Sequence, residues 1–270
     1  MKDVKELLKS IRDNEIAVKE HRDELTYAGI LQQALLPKKR HIDRIFEDYF
    51  VIYQPKNHVS GDFYWVGEKN DIRYFACADC TGHGVPAAML SILGYSLLNY
   101  ALYISDLASP SEILKKVDFK FIESFDFGNN QTTNDWIDIS LCAFDPAKQT
   151  LTFCGANRKA LVVSEKSSHV LPGNRYPIGG WQLEEYREFT EHTIAIEPNS
   201  WVYLGSDGFQ DQFGGMFGKK FGSTKLHTLL KSITKFNAAD QEILLRDHHA
   251  IWSKGREQTD DICLMGIKIS

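Results

Sequence analysis

The sequence predicts an α/β layered sandwich built on largely antiparallel sheets. Three observations carry this. From residue 37 onward, short apolar runs are separated by Gly, Pro, Asn and Asp, the texture of strands and turns. Some neighbouring runs are close enough to form hairpins, as where Asp145-Pro146-Ala147-Lys148 joins two of them. The helical segments are fewer and longer, and strands and helices do not alternate regularly as they would around a parallel sheet.

The first element is a helix. Residues up to Leu36 are rich in Glu, Lys, Leu and Ile, contain no Pro, and end at Pro37. Val4, Ile11, Val18 and Leu25 recur every seventh position, with Leu7 and Ala28 on a neighbouring stripe and Asn14 and His21 between them. Such a partial heptad seam suits pairing in a dimer or docking on the domain that follows. Strands are expected at 50–54, 63–66, 72–79, 136–144, 151–154, 161–164, 189–196, 201–206 and 262–269. Pro86 marks a first helical position, and 87–103 is apolar almost all round, as in a buried helix. Ser109-Pro110-Ser111-Glu112 has the spacing of a capping box and opens a helix to about Ser124. Segments 224–231 and 239–252 complete the helices, and no internal repeat or low-complexity stretch is present.

Composition narrows the function. With 270 residues, 43% hydrophobic and 25% charged, the chain can bury a sizeable core. Its formal net charge of −5 argues against a general nucleic-acid binder. No apolar run is expected to approach the roughly 18 to 20 residues that span a bilayer, and the first residues carry no apolar signal segment. Five cysteines, an odd number, point to reduced and mostly buried thiols. A soluble cytoplasmic protein without membrane insertion is the expectation.

Four aspartate motifs bound apolar strands: Ser60-Gly61-Asp62, Ala78-Asp79-Cys80, Ser206-Asp207-Gly208 and Thr259-Asp260-Asp261. Taken singly, each also reads as a turn, because Asp and Gly beside a strand are what a turn needs. Taken together, strand ends of one sheet can gather the carboxylates in one place, where divalent cations must offset their repulsion. An all-oxygen donor set suits Mg²⁺ or Mn²⁺. Two such ions about 3.5 to 4 Å apart are suited to phosphoryl chemistry, with a bridging hydroxide as nucleophile.

Val59-Ser60-Gly61-Asp62-Phe63-Tyr64-Trp65, Ala78-Asp79-Cys80-Thr81-Gly82-His83-Gly84-Val85-Pro86-Ala87-Ala88-Met89, Gly155-Ala156-Asn157, Pro177-Ile178-Gly179, Ser206-Asp207-Gly208-Phe209 and Gln258-Thr259-Asp260-Asp261 strongly resemble the PPM (type-2C-like) metal-dependent serine/threonine phosphatases, in the bacterial branch of sporulation stage II protein E and RsbU. The resemblance covers roughly residues 28–269. It implies a four-layer αββα sandwich, two stacked sheets flanked by helices, with residues 37–270 as the phosphatase domain and 1–36 as a regulatory or linker helix that dimerises in some relatives. It implies two Mn²⁺ or Mg²⁺ ions and a weaker third. Asp79 would bridge the ions, the main-chain carbonyl of Cys80, Asp207 and Asp260 would complete one site, and Asp62 would serve the other, largely through water. Asp211 is the candidate for the third ion, with Asp135 or Asp138 beside it, and Asp261 is a hydrogen-bonding residue that orients the ligands.

His83 invites the role of general acid, with fixing of its loop as the rival reading. No counterpart of the phosphate-binding arginine of the eukaryotic enzymes is evident, although Lys56 and His58 lie near Asp62 in sequence. The resemblance implies a phosphorylated protein as substrate, a STAS-domain anti-sigma antagonist in partner switching, with phosphoserine or phosphothreonine as the hydrolysed group. Two rivals remain open: a catalytically silent binding module of the same fold, and another two-metal phosphoesterase. Cys77-Ala78-Asp79-Cys80 followed by His83 also has zinc-like spacing. No second knuckle accompanies it, and buried thiols are the preferred reading.

Overall fold

The computed structural model describes residues 2–125, 134–180 and 187–269, with side chains from residue 9 onward. In chain order the elements are α1 (Lys2–Leu35), α2 (Lys39–Ile42), β1 (Tyr49–Gln54), β2 (Phe63–Lys69), β3 (Ile72–Cys80) and α3 (Gly84–Asn99), which a π-helical turn at Tyr100–Ile104 continues. Next come α4 (Pro110–Ser124), β4 (Trp136–Asp145), β5 (Thr150–Ala156), β6 (Ala160–Val163), β7 (Ser168–Leu171), β8 (Ile178–Gly179), β9 (Glu191–Ala195) and β10 (Ser200–Gly205). The last are α5 (Gly208–Asp211), β11 (Phe213–Gly214), β12 (Lys219–Lys220), α6 (Ser223–Ile233), α7 (Ala238–Ser253) and β13 (Ile262–Ile269).

The long strands form two antiparallel sheets. One runs β1-β13-β10-β6-β7, and the other runs β2-β3-β4-β5-β9 with β8 paired to β4. Strand alternation explains the stacking, since successive residues face opposite sides. Along β3, Phe75 and Cys77 enter the core between the sheets with Cys142, Phe153, Val202, Leu204 and Met265. Tyr74, Ala76, Ala78 and Cys80 face the other way, toward α3 and α4. A third core joins β10 and β13 to α6 and α7 through Trp201, Tyr203, Leu226, Leu230 and Leu245. The result is the expected αββα order.

Local signals act as their chemistry requires. Ser109 Oγ accepts a hydrogen bond from the Glu112 amide and caps α4. Asp145 Oδ1 accepts from the Ala147 and Lys148 amides, closing the β4–β5 hairpin. Cys80 lies within β3 rather than past its end.

One expectation is corrected. The helical stretch Gly84–Ile104 is 21 residues long and apolar enough, by length and composition, to cross a membrane. Its composition has a local cause: Leu90, Leu98, Ala101 and Leu102 are buried in the core beneath the second sheet. The helix also starts at Gly84, two residues ahead of Pro86.

The seam on α1 divides in two. Ile11 and Val18 are 47% and 69% exposed, whereas the C-terminal turns pack on the domain. There Gln32 donates to Ser60 O at 2.6 Å and to Ser91 Oγ at 2.8 Å, and accepts from the Ser60 amide at 3.0 Å. Gly29 permits this approach, since a Cβ there would stand 2.1 Å from the His58 carbonyl oxygen. The Val4 and Leu7 side chains lie outside those described.

Candidate active site

Four chain segments deliver the predicted aspartates to one end of the stacked sheets. Asp62 directly precedes β2, Asp79 is the penultimate residue of β3, Asp207 follows β10, and Asp260 precedes β13. Antiparallel register sets Asp138 of β4 directly opposite Asp79. Close backbone approach fixes the loops. A Cβ on Gly208 would lie 1.8 Å from the Asp261 carbonyl oxygen, and one on Gly61 would lie 3.2 Å from the Cys80 carbonyl oxygen. The glycines of the Ser-Gly-Asp and Ser-Asp-Gly motifs therefore let these loops meet.

Asp261 joins two loops through its side chain. Its Oδ1 accepts from the Lys56 amide at 2.7 Å and its Oδ2 from the Gly61 amide at 2.8 Å, which ties the loop ahead of Asp62 to the start of β13. Thr81 anchors the other loop: its amide and hydroxyl both donate to Trp136 O, and the Trp136 amide donates back to its hydroxyl, all at 2.9 Å.

The acids are electrostatically unsettled. Asp62 is 2% exposed and, among the described residues, its Oδ2 has no hydrogen-bond partner. Burial, with Asp79 nearby, pushes its pKa well above the ordinary carboxylate value. Asp79 is pushed up to about 7, by burial and by the neighbouring Asp207, Asp138 and Asp260, against the opposing pull of Arg158. Burial raises Asp138 and Asp260 as well.

Arg158 is the residue that sequence reasoning missed. Its Nη2 donates to Asp79 and, at 3.1 Å, to Asp207 Oδ2, and it lies 3.6 Å from Asp138 Oδ2. It follows Asn157, whose left-handed φ of 59° turns the chain. Its carbonyl passes close to Gly155 and Gly173, where a Cβ would come within 2.4 and 2.1 Å. A basic residue after Gly155-Ala156-Asn157 was the available signal.

The remaining candidates separate. Asp211 pairs with Lys220 at 2.6 Å. Of the two further acids, Asp138 joins the cluster through Arg158, whereas Asp135 contributes a backbone carbonyl to Gly180. His83 is exposed at the N-cap of α3 and, among the described residues, makes no side-chain hydrogen bond, so neither the carboxylates nor the loop depend on it here. Lys56 contributes its amide, and His58 Nδ1 lies 3.2 Å from Thr26 Oγ1 of α1, which makes it part of the helix contact. All five cysteines are free and buried, with Cys77 and Cys263 sulfurs 3.6 Å apart.

The donor set fits a hard divalent cation. A buried carboxylate oxygen without a partner, beside several acids held above their ordinary pKa, lacks positive charge. Among the described residues no three His, Cys, Asp or Glu side chains already converge on one point. Bare carboxylates repel, and the Arg158 guanidinium stands between three of them.

Two helix-flanked antiparallel sheets with an acidic end define a PP2C-type domain. The SiaA-PP2C domain of Pseudomonas aeruginosa superposes with a TM-score of 0.84 at 28% identity, over 94% of this chain and 99% of that one. The chain belongs to the Stage II sporulation protein E (SpoIIE) family, whose family model matches residues 72–270. Phosphoserine phosphatase RsbU of Bacillus subtilis is 27% identical over 195 residues, 70% of this chain. The chain spans about half of that relative's length, 54%. RsbX in complex with magnesium shares the fold, with a TM-score of 0.58 at 15% identity over 82% of this chain and 94% of that one.

Proposed function

We propose that this chain is a metal-dependent phosphatase acting on phosphoserine or phosphothreonine of a bacterial regulatory protein. The observation that carries the reading is the gathering of Asp62, Asp79, Asp207 and Asp260 from four strand ends, with Asp62 buried and its Oδ2, among the described residues, without a hydrogen-bond partner. Family membership and the likeness to RsbU and SiaA support it.

Asp79, the Cys80 carbonyl, Asp207 and Asp260 would hold one Mn²⁺ or Mg²⁺ ion, Asp79 and Asp62 a second, and Asp211 a weaker third. RsbX, of the same fold, is known with magnesium. Such ions supply charge neutralisation and a water activated near neutral pH. The chain's own groups do the rest. Asp261 keeps the two loops in register through the Lys56 and Gly61 amides. Arg158, whose Nη2 reaches Asp79 and Asp207, would hold a phosphoryl oxygen by charge-assisted hydrogen bonds. His83, exposed beside the site, is the side chain available to protonate a departing alkoxide.

The natural substrate proposed is a phosphorylated STAS-domain antagonist in partner switching. Five free, buried thiols agree with a reducing, cytoplasmic setting. In assays with Mn²⁺, the protein should release phosphate from para-nitrophenyl phosphate and from a phosphoserine peptide. EDTA, Asp79→Ala or Asp207→Ala should lower turnover by roughly a thousandfold or more. Near wild-type turnover in both variants would falsify the assignment, and absence of turnover at any metal concentration would favour a silent binding module.

The exposed part of α1 is proposed to regulate or dimerise the domain. Removal of residues up to Glu24 should change the sedimentation coefficient or the basal turnover. If neither changes, the helix has no such role.

A further inference from the structure

Next to the acidic end lies a cavity of opposite sign. It encloses about 420 Å³ between the outer face of β6, β7 and β10 and helix α6, within the range of about 300 to 1,000 Å³ typical of ligand sites. Arg158, Lys159, Arg175 and His227 line it, and none of the described residues lining it is acidic. In a chain of net charge −5 this is a local reversal. Lys159 and Arg175 are exposed and, among the described residues, neither side chain has an ion pair or hydrogen bond. His227 is half-buried, and burial together with Lys159 and Lys231 holds its pKa below the ordinary histidine value. The rest of the lining includes the aliphatic Leu161, Val170, Leu226 and Leu230.

The cavity and the acidic end share a wall. Arg158 lines the cavity and touches Asp79 and Asp207, while Gly205 and Ser206 line the cavity and directly precede Asp207. Anything seated in the cavity therefore lies beside the group that is hydrolysed. Extended peptide advances about 3.3 Å per residue, so the natural occupant is chain within a few residues of the phosphorylated one.

We propose that this cavity receives the acidic flank of the phosphoprotein substrate, a segment that carries one or two carboxylates and an aliphatic side chain near the phosphoserine or phosphothreonine. The inference rests on the phosphatase reading above. Lys159 and Arg175 meet the carboxylates, the leucine lining meets the aliphatic side chain, and His227 offers a neutral imidazole as a hydrogen-bond partner. Exposed charges of this kind act mainly on encounter and selectivity, so the effect belongs in KM more than in kcat.

The test uses synthetic phosphoserine peptides of about ten residues, an excursion of about 30 Å when extended, flanked by Asp and Leu, by Asn and Leu, or by Lys and Leu. With Mn²⁺-loaded full chain, kcat/KM for the Asp peptide should exceed that for the Asn peptide by about tenfold, a difference that weakens as salt is raised. In the charge-reversed double variant Lys159→Glu/Arg175→Glu, the preference should invert toward the Lys peptide. Equal kcat/KM for the three peptides with the wild-type chain, or an unchanged preference in the double variant, overturns the proposal. Should wild-type protein release no phosphate from any peptide or from para-nitrophenyl phosphate, the phosphatase reading fails by itself. Fluorescence anisotropy of a labelled Asp peptide then decides the cavity: binding that is lost in the double variant supports it, and no binding overturns it.

Discussion

Aspartate stands at both ends of the strand that runs from Trp136 to Asp145, and the two ends treat it differently. At one end Asp145 accepts hydrogen bonds from the Ala147 and Lys148 amides and pairs with Lys148 Nζ at 3.0 Å, which together hold its pKa below the ordinary value. At the other end Asp138 faces Asp79 across the ladder, and burial raises both. The residue type and the strand are the same, although Asp145 opens a turn and Asp138 sits inside the ladder. What differs is the surroundings: turn amides and Lys148 satisfy Asp145, whereas Asp138, which accepts from Asn157 Nδ2 at 3.1 Å, lies partly buried among other acids around Arg158.

The largest test of this contrast is steric. Gly208→Ala places a methyl group 1.8 Å from the Asp261 carbonyl oxygen and should destabilise the chain by about 3 kcal/mol in urea unfolding. A change near zero would mean that the Ser206-Asp207-Gly208 loop is not held against Asp260-Asp261.

A smaller effect is expected from pH. Without metal, the Asp79 pKa stands near 7 against an ordinary value of 3.8, so between those values the folded chain binds a proton that the unfolded chain has released. Stability from this group is therefore greatest at the acid side of the window and declines as pH rises through about 7. In EDTA the thermal midpoint should be a few degrees higher at pH 6 than at pH 8. Asp145 behaves oppositely: its pKa is depressed, so its contribution is lost only as pH falls below the usual carboxylate range. A midpoint that does not change from pH 6 to pH 8 would show the site acids to be satisfied like Asp145.

The smallest effect is at the satisfied end. Asp145→Ala should leave turnover unchanged and lower the midpoint only slightly, since the pair with Lys148 is at the surface. Loss of turnover would erase the distinction between the two ends.

The motifs around Asp62, Asp79, Asp207 and Asp260 were legible because each couples an apolar strand to a glycine or acid at its end, and the fold has to bring such ends together. Arg158 was not, because the local signal after Gly155-Ala156-Asn157 says nothing of where the side chain reaches, which depends on a left-handed Asn157 and on backbone passing Gly155 and Gly173. The short strands Ser168–Leu171 and Ile178–Gly179 escaped for a related reason: they are too brief for periodicity and are defined by their partners in the sheets. The helix 84–104 was read as buried, in agreement with its core contacts, and only its apolar length exceeded the expectation. An uncharged run can be apolar for a bilayer or for a core, and the buried Leu90, Leu98 and Leu102 show which interior it fills here.

The grip of Gln32 on Ser60 and Ser91 has a mechanical meaning. A 34-residue helix is a rod about 50 Å long, with its outer turns in solvent and its inner end bonded to the backbone two residues ahead of Asp62. A rod clamped so near one end is a lever. A modest sideways force on the outer turns becomes torque at Ser60, so rotation of α1 cannot leave the Asp62 loop in place unless the Gln32 hydrogen bonds first break.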